Sequence, residues 1–344
     1  MTNLSWGILG TAGIARKAMS PALTAAESCR VTAIASRDGA RAQAFARDFD
    51  VPRHFASYEA LLAVPEIDAV YIPLPNHLHV PLTLKALAAG KHVLCEKPLA
   101  LTLADARRIA EAARHADRFV AEPFMTRHHP QWRRAQALVR SGRIGRLTAV
   151  QALFSYANHD PANARNQPEI GGGALYDIGC YALDTARFFF DQSPEAVSAT
   201  MERDPDFGTD RMISGAARFA GGGQLTFTVS TQSALVQQLT LLSTEGYLAF
   251  DSPFNCPGDH SARLAIDPGT DLLGSRREIQ ITPLADQYRL QAEAFARHVH
   301  DRTGWSAAID EMLGNAAALE ACTRAARSGS WEPVAETEPR AGVA

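Results

Sequence analysis

Trp6-Gly7-Ile8-Leu9-Gly10-Thr11-Ala12-Gly13 carries an apolar run into a glycine-rich turn, and a helical pattern follows at once from about Ile14 to Ala25. What comes next repeats that grammar. Val31–Ser36 reads as a buried strand and is followed by a helix rich in Ala and Arg to about Asp48. Asp68–Ile72, a helix over about Leu78–Ala89, Lys91–Cys95, a helix over about Leu103–His115 and Arg118–Ala121 continue the alternation. Short apolar strands alternating with helices imply parallel strands joined by right-handed crossovers, in a sheet covered on both faces. The expected architecture is the doubly wound α/β fold.

In that context the opening turn has a chemical meaning. A strand ending in glycine lets the backbone approach a pyrophosphate closely, and the helix N-terminus behind it supplies amide donors and a positive dipole. Gly10, Thr11, Ala12, Gly13 and Ile14 are therefore assigned to a dinucleotide, although Ala12 and Ala15 replace two glycines of the full G-x-G-x-x-G pattern. The second strand ends in Ala35-Ser36-Arg37, where an NAD-preferring site carries Asp or Glu. A hydroxyl and a guanidinium suit a 2′-phosphate, so Ser36 and Arg37 point to NADP(H). The competing reading makes Arg37 the solvated start of the next helix.

The grammar changes after about Glu122. Pro130–Arg140 reads as a helix, Leu147–Tyr156 as a strand and Ala174–Phe190 as a long helix. Then come strands near 197–201, 212–219, 224–231, 237–242 and 247–250, with hairpin turns at Gly221-Gly222-Gly223 and Glu245-Gly246. The expectation is a second α/β domain with a largely antiparallel sheet and helices on one face. Two helices, about 285–302 and 309–327, close the chain. The domains are set at 1–123 and 124–328, with the last helix able to pack back on the first, and 329–344 is read as a mobile tail.

Bulk properties narrow the function. Of 344 residues, 46% are apolar and 21% charged, which suits ordinary buried cores. Lys and Arg total 34 against 37 Asp and Glu, so no positive field draws nucleic acid or an anionic membrane. The five cysteines, Cys29, Cys95, Cys180, Cys256 and Cys322, have no metal-ligand spacing and read as buried hydrophobes of a reducing cytosol. No basic-then-apolar leader or spanning apolar run is visible, so a cytoplasmic protein is expected. His77, His79, His128 and His129 do not fall at zinc-site spacing on one helix, and no metal is expected.

Two further stretches carry chemistry. Pro73-Leu74-Pro75-Asn76-His77-Leu78-His79 and Cys95-Glu96-Lys97-Pro98-Leu99 both follow strands, at the carboxyl edge where such sheets bind ligands. Leu74, Pro75, Asn76, His79, Glu96 and Lys97 are assigned to the cofactor on that ground. Together with Trp6–Thr11, Ala89–Pro98, Arg127-His-His-Pro-Gln131 and Gly171-Gly-Gly-Ala-Leu-Tyr-Asp-Ile-Gly-Cys-Tyr181, these segments resemble the glucose-fructose oxidoreductase/inositol dehydrogenase/rhizopine-catabolism (Gfo/Idh/MocA) family over nearly the whole chain.

The resemblance implies a Rossmann domain followed by an α/β domain with an open, mainly antiparallel sheet. It puts the family's catalytic lysine on Lys97 and its Asp-x-x-x-His pair on Asp177 and Tyr181. Tyr in place of His resembles the branch with glucose-fructose oxidoreductase, dimeric dihydrodiol dehydrogenase and NADP-dependent xylose dehydrogenase, and it argues against an inositol substrate. Asn163 is similarly implied at the substrate, with Arg165 and Tyr288 at the cofactor.

Oxidising an alcohol removes a hydride, which nicotinamide takes, and a proton, which the protein must take. A phenol titrates near pH 10, and a neighbouring ammonium brings its phenolate toward neutral pH. One reading has Tyr181 exchanging the proton while Lys97 orients the hydroxyl; the other makes Lys97 the acid/base. In both, Asp177 binds a sugar hydroxyl. The leading expectation is thus an NADP-dependent sugar or polyol dehydrogenase, with keto-sugar or dicarbonyl reduction and aldose–aldose transfer on tightly bound NADP as variants. A non-catalytic NADP-binding regulator could lose the lysine, and this chain retains it. An exposed open sheet face would need cover, so a homodimer or homotetramer is expected.

Overall fold

The computed structural model describes residues 3–337. It divides into two compact units, one of residues 3–125 with Tyr288–Ala316, the other of Thr126–Gln287 with residues 317–337.

The first unit holds β1 (Leu4–Leu9), α1 (Ser20–Ala25), β2 (Cys29–Ala35), α2 (Gly39–Asp48), β3 (Arg53–Phe55), α3 (Tyr58–Leu62), β4 (Ala69–Ile72), α4 (His79–Ala88), β5 (His92–Cys95), α5 (Leu103–Ala116) and β6 (Val120–Ala121). The six strands form one parallel sheet in the order β3-β2-β1-β4-β5-β6. The order reverses between β1 and β4, and the crevice at that switch point is where doubly wound sheets bind ligands. Side chains fix the helix starts. Asp38 accepts from the amides of Ala40 and Arg41 to cap α2, and Thr102 caps α5 through the Asp105 amide. β3 and α3 leave no mark in the sequence, because three and five residues are too few for a period to appear.

The second unit holds α6 (Pro130–Arg140), β7 (Leu147–Ala157), α7 (Cys180–Phe190), β8 (Ala196–Arg203), β9 (Asp210–Arg218), β10 (Gln224–Ser230), β11 (Gln232–Ser243), β12 (Gly246–Phe250), β13 (Arg263–Asp267) and β14 (Glu278–Ile281). With β15 (Glu332–Pro333), its nine-stranded sheet runs β14-β13-β12-β11-β7-β10-β9-β8-β15, antiparallel except where β10 lies parallel to β7. The expected hairpin turns join β9 to β10 and β11 to β12. One sheet face is core: Phe154, Phe227, Leu239, Leu248 and Leu264 are buried, and Trp132 of α6 stacks on Phe189 of α7 and packs on Phe250. The other face carries Ser214, Thr226, Thr228, Gln151, Thr240, Leu242 and Ile279, in cross-strand register and largely open.

Two expectations about organisation need correction. α8 (Gln287–Asp301) was assigned to the second domain, yet Ala292, Phe295 and Ala296 sit in the first unit's core, with Phe295 packed on Trp6 and Phe119. A helix with an apolar stripe does not say which core it joins. α9 (Trp305–Ser328) contributes to both units. The presumed tail is partly ordered, since β15 (Glu332–Pro333) pairs with Val197 and Ala196 of β8 while Arg324 donates to the Pro333 carbonyl. Residues 338–344 of that tail lie outside the described residues.

Candidate active site

In the first unit the glycine turn leaves β1 beneath a lid of Leu74. Gly10 has φ +124°, and a Cβ there would lie 2.7 Å from Leu74 Cδ2. Its amide donates to the Ala35 carbonyl at 2.8 Å, tying the turn to the end of β2. Gly13 faces open space, with nothing within 4 Å of a Cβ. The helix behind it opens with a π-turn, Ala15–Met19, with no capping side chain and no acidic residue in its first turn. Its leading amides are thus left for an anion, and a pyrophosphate fits the turn.

At the end of β2, Ser36 is buried and its Oγ accepts from the Asp38 amide at 3.2 Å. Arg37 is exposed and its guanidinium donates to the Tyr58 phenol, although burial still holds that phenol above its ordinary pKa. Tyr58 gave no signal in the sequence.

The loops after β4 and β5 are locked together by His79. This ring is fully buried, with Nδ1 2.8 Å from the Pro98 carbonyl and Nε2 2.6 Å from the Leu74 carbonyl. Burial first, and then the Lys97 and His77 charges, push its pKa down to about 4 against the raising effect of the two carbonyls. A neutral ring has one N–H, so it ties one of the two loops by a hydrogen bond and packs against the other. The assignment of His79 to the cofactor is corrected: the ring is out of reach of a ligand and positions Leu74 and Lys97 instead.

Lys97 itself is half-buried. Beyond it the Leu99 amide donates to Glu122 Oε1 at 2.7 Å, and Asn315 Nδ2 also donates to that carboxylate. Before it, Glu96 Oε1 accepts from the Tyr71 hydroxyl at 2.5 Å. Burial and then the Glu96 charge hold the Tyr71 phenol well above its ordinary pKa, with Tyr288 close by. Glu96 thus faces a buried tyrosine of the fold. Lys97 sits on a loop gripped by Glu96, His79 and Glu122, a rigidity that local sequence does not reveal.

In the second unit the Gly171-Gly172-Gly173 run leads into the helix bearing Asp177 and Tyr181. A Cβ on Gly172 would lie 2.6 Å from the Arg165 carbonyl, and the Gly173 amide donates to that same oxygen at 2.9 Å. The helix opens with a π-turn, Leu175–Gly179, and continues as α7. Asp177 Oδ2 accepts from Arg165 Nε at 2.8 Å and from the Tyr156 hydroxyl. Burial and then the Asp177 charge drive the Tyr156 phenol far above its usual pKa. Asn163, expected at the substrate, uses its Oδ1 to accept from the Arg165 amide at 3.1 Å, so it sets the turn that presents Arg165. Tyr181 is buried, its ring 5.9 Å from that of Phe154 and 5.8 Å from that of Phe254. His129 is also buried and caps α6 by accepting from the Gln131 amide.

The predicted residues thus gather in two places. Gly10, Leu74, Glu96 and Lys97 lie at the carboxyl edge of the parallel sheet. Asn163, Arg165 and Asp177 interlock in the second unit, with Tyr181 one turn on. Sequence reading missed Tyr156, Tyr71 and Glu122. Among the described residues no three His, Cys, Asp or Glu side chains cluster as a metal site, and no helix is long and apolar enough to cross a membrane.

A parallel sheet with a bare glycine turn at its switch point, and a lysine on a braced loop at the same carboxyl edge, defines a dinucleotide-dependent oxidoreductase. Residues 4–124 match the oxidoreductase family with an NAD-binding Rossmann fold, and residues 132–249 match the GFO/IDH/MocA C-terminal domain, so the chain belongs to the Gfo/Idh/MocA oxidoreductase family. It is 43% identical over 334 residues to an uncharacterized oxidoreductase of Rhizobium meliloti, covering 97% of this chain and 100% of that one. It is 37% identical to D-xylose 1-dehydrogenase (NADP(+)) 2 of Haloferax volcanii, over 95% of this chain and 98% of that one. Among solved structures it superposes on the 3-ketoreductase KijD10 of Actinomadura kijaniata, in complex with NADP and TDP-benzene, with a TM-score of 0.87 at 30% identity, covering 94% and 98% of the two chains.

Proposed function

We propose that this protein is an NADP(H)-dependent oxidoreductase of a sugar or polyol, acting at an aldose C1 or at a ring hydroxyl or keto group. The observation that carries this reading is Lys97, held on a three-point-braced loop at the sheet edge that also bears the bare glycine turn. The similarity to an NADP-dependent xylose dehydrogenase supports it.

Gly10, Thr11, Ala12, Gly13 and Ile14 would hold the pyrophosphate, Ser36 and Arg37 the 2′-phosphate, and Leu74, Pro75, Asn76, Glu96, Arg165 and Tyr288 would border the rest of the cofactor. Bound nicotinamide supplies or accepts the hydride. Lys97 donates a hydrogen bond to the reacting oxygen and stabilises negative charge on it. Tyr181 takes the proton in oxidation and returns it in reduction; in the alternative, Lys97 carries the proton and Tyr181 orients the hydroxyl. Asp177, paired with Arg165, binds a neighbouring hydroxyl of the sugar.

A panel of aldoses, polyols and keto-sugars with NADP(H) and NAD(H), followed at the reduced-nicotinamide band, tests the reading. Lys97→Met and Tyr181→Phe should each lower kcat by about 10²–10⁴-fold, the usual weight of a positioned proton donor or acceptor. Near-normal turnover in both would overturn the assignment. A charge-assisted bond to the 2′-phosphate should favour NADP by about tenfold or more in kcat/KM, and a clear NAD preference would remove that part.

A second reading, reduction of a keto-sugar, is favoured by the likeness to a 3-ketoreductase. A third, aldose–aldose transfer, requires NADP to stay bound through gel filtration. We further propose self-association as a dimer or tetramer through the open sheet face, where Leu242 is 49% and Ile279 41% exposed; a monomer by light scattering would refute it. Five free, buried cysteines fit a cytoplasmic location.

A further inference from the structure

The helix carrying Asp177 and Tyr181 begins without a capping side chain of its own, because the residue at its start is Gly173. The cap comes from elsewhere. Asp210, first residue of β9, accepts from the Leu175 amide through Oδ2 at 2.6 Å. It occupies the volume a side chain on residue 173 would need: a Cβ there would lie 1.9 Å from Asp210 Oδ1, and Gly173 has φ +118°. Asp210 is 6% exposed, so no solvent competes for these amides. Two residues on from Leu175 stands Asp177, and one turn later Tyr181.

We propose that Asp210 is a positioning residue for Asp177 and Tyr181: it fixes the first turn of their helix through an acceptor oxygen supplied from the neighbouring strand. The inference rests on the reading of Asp177 and Tyr181 as substrate groups. Strand β9 is itself clamped on both sides, paired with β8 and β10, so the cap has a rigid base. A helix whose first amides are fixed by a buried acceptor cannot shift its register, and the bearing of residue 177 is set with it.

The acceptor oxygen matters here more than the charge. Burial pushes the Asp210 carboxyl up to about 6, against the lowering effects of the Leu175 amide, its own amide, Arg203 of β8 and the Ala174 amide. Tyr176 of the same helix also faces it, and Tyr176 is faced in turn by Glu320 and Arg327 of α9. The folded-state pKa lies above the ordinary carboxyl value of 3.8, so the fold holds the protonated form more tightly. Opening of this turn therefore becomes easier as pH rises from near 4 through about 6.

The test uses the full chain and the best sugar of the panel. Asp210→Ala should raise the sugar KM and lower kcat, together at least about tenfold in kcat/KM, with the KM for NADP within about twofold. Asp210→Asn keeps an acceptor oxygen and should restore kcat/KM to within about threefold of wild type. Hydrogen exchange gives a reading free of turnover. Between pH 4 and 7 the opening of residues 174–181 in wild type should rise about tenfold or more relative to Asp210→Asn, which has nothing to titrate. Wild-type kinetics in Asp210→Ala, an impaired Asp210→Asn, or a pH-independent exchange ratio would each overturn the proposal. If Asp210→Ala does not fold, the exchange ratio decides. If wild type turns over no sugar, the assignment of Asp177 and Tyr181 falls, while exchange still decides whether Asp210 is the cap.

Discussion

Replacing His79 by Phe keeps a flat aromatic ring, somewhat larger, and removes both nitrogens from the carbonyls of Leu74 and Pro98. At neutral pH the neutral ring makes one true hydrogen bond, and losing it strands a buried carbonyl, so the variant should be less stable by about 1–3 kcal/mol. The pH dependence is sharper. His79 titrates at about 4 in the fold against 6.5 when free, so the unfolded chain binds a proton that the folded chain refuses. The group's stabilisation is complete above 6.5 and is lost as pH falls toward 4. Between pH 7.5 and 5.0 the wild type should lose about 2 kcal/mol through this residue alone. Phe cannot titrate, so the deficit of the variant should shrink by that amount and nearly vanish at pH 5.0. His92 and His129 are also pushed down to about 4, but both proteins keep them and they cancel in the difference. Urea unfolding at the two pH values, with unchanged slopes, gives the comparison. A deficit equal at both would refute a buried neutral His79.

Two further substitutions probe one candidate group in each unit. Gly10→Ala forces a side chain onto φ +124° and 2.7 Å from Leu74 Cδ2, at about 1–3 kcal/mol of strain, and should weaken NADP(H) about tenfold in a fluorescence titration; unchanged affinity would remove the turn from the cofactor site. Tyr156→Phe takes one donor from Asp177 and leaves Arg165, so the sugar KM should rise about 2–10-fold with the NADP KM unchanged; no change in either would argue that Asp177 does not touch the sugar.

How far the sequence reached depended on distance along the chain. Five of the six parallel strands were legible because each lies within a few tens of residues of its following helix, and β1, β2, β4 and β5 are mostly apolar; β3, only three residues long, was not. The glycine turn was legible because its requirement is local: a positive φ at residue 10 and bare backbone at residue 13. The attachment of α8 to the first unit was not, because Phe295 meets Trp6 across almost the whole chain. His79 shows the same limit within a single motif. Its sequence neighbours are ligand-loop residues, and only the fold turns its ring inward to meet Pro98, 19 positions away.

The glycine run before Asp177 marks where such reasoning can still gain ground. A glycine reports that something comes close, without saying what. Gly172 yields to the carbonyls of Ala164, Arg165 and Gln167, which a local turn can supply. Gly173 yields to a carboxylate 37 positions on, at the start of β9. A helix that begins on glycine, with no Ser, Thr, Asp or Asn at its start, must take its cap from elsewhere or leave its amides to water. When the following residues are catalytic candidates, the second option is the costlier one, because a frayed first turn would move them. The sequence therefore does contain a question about residue 173 whose answer is an acid on another strand. Asp210 supplies that acid from a strand end that no motif singles out.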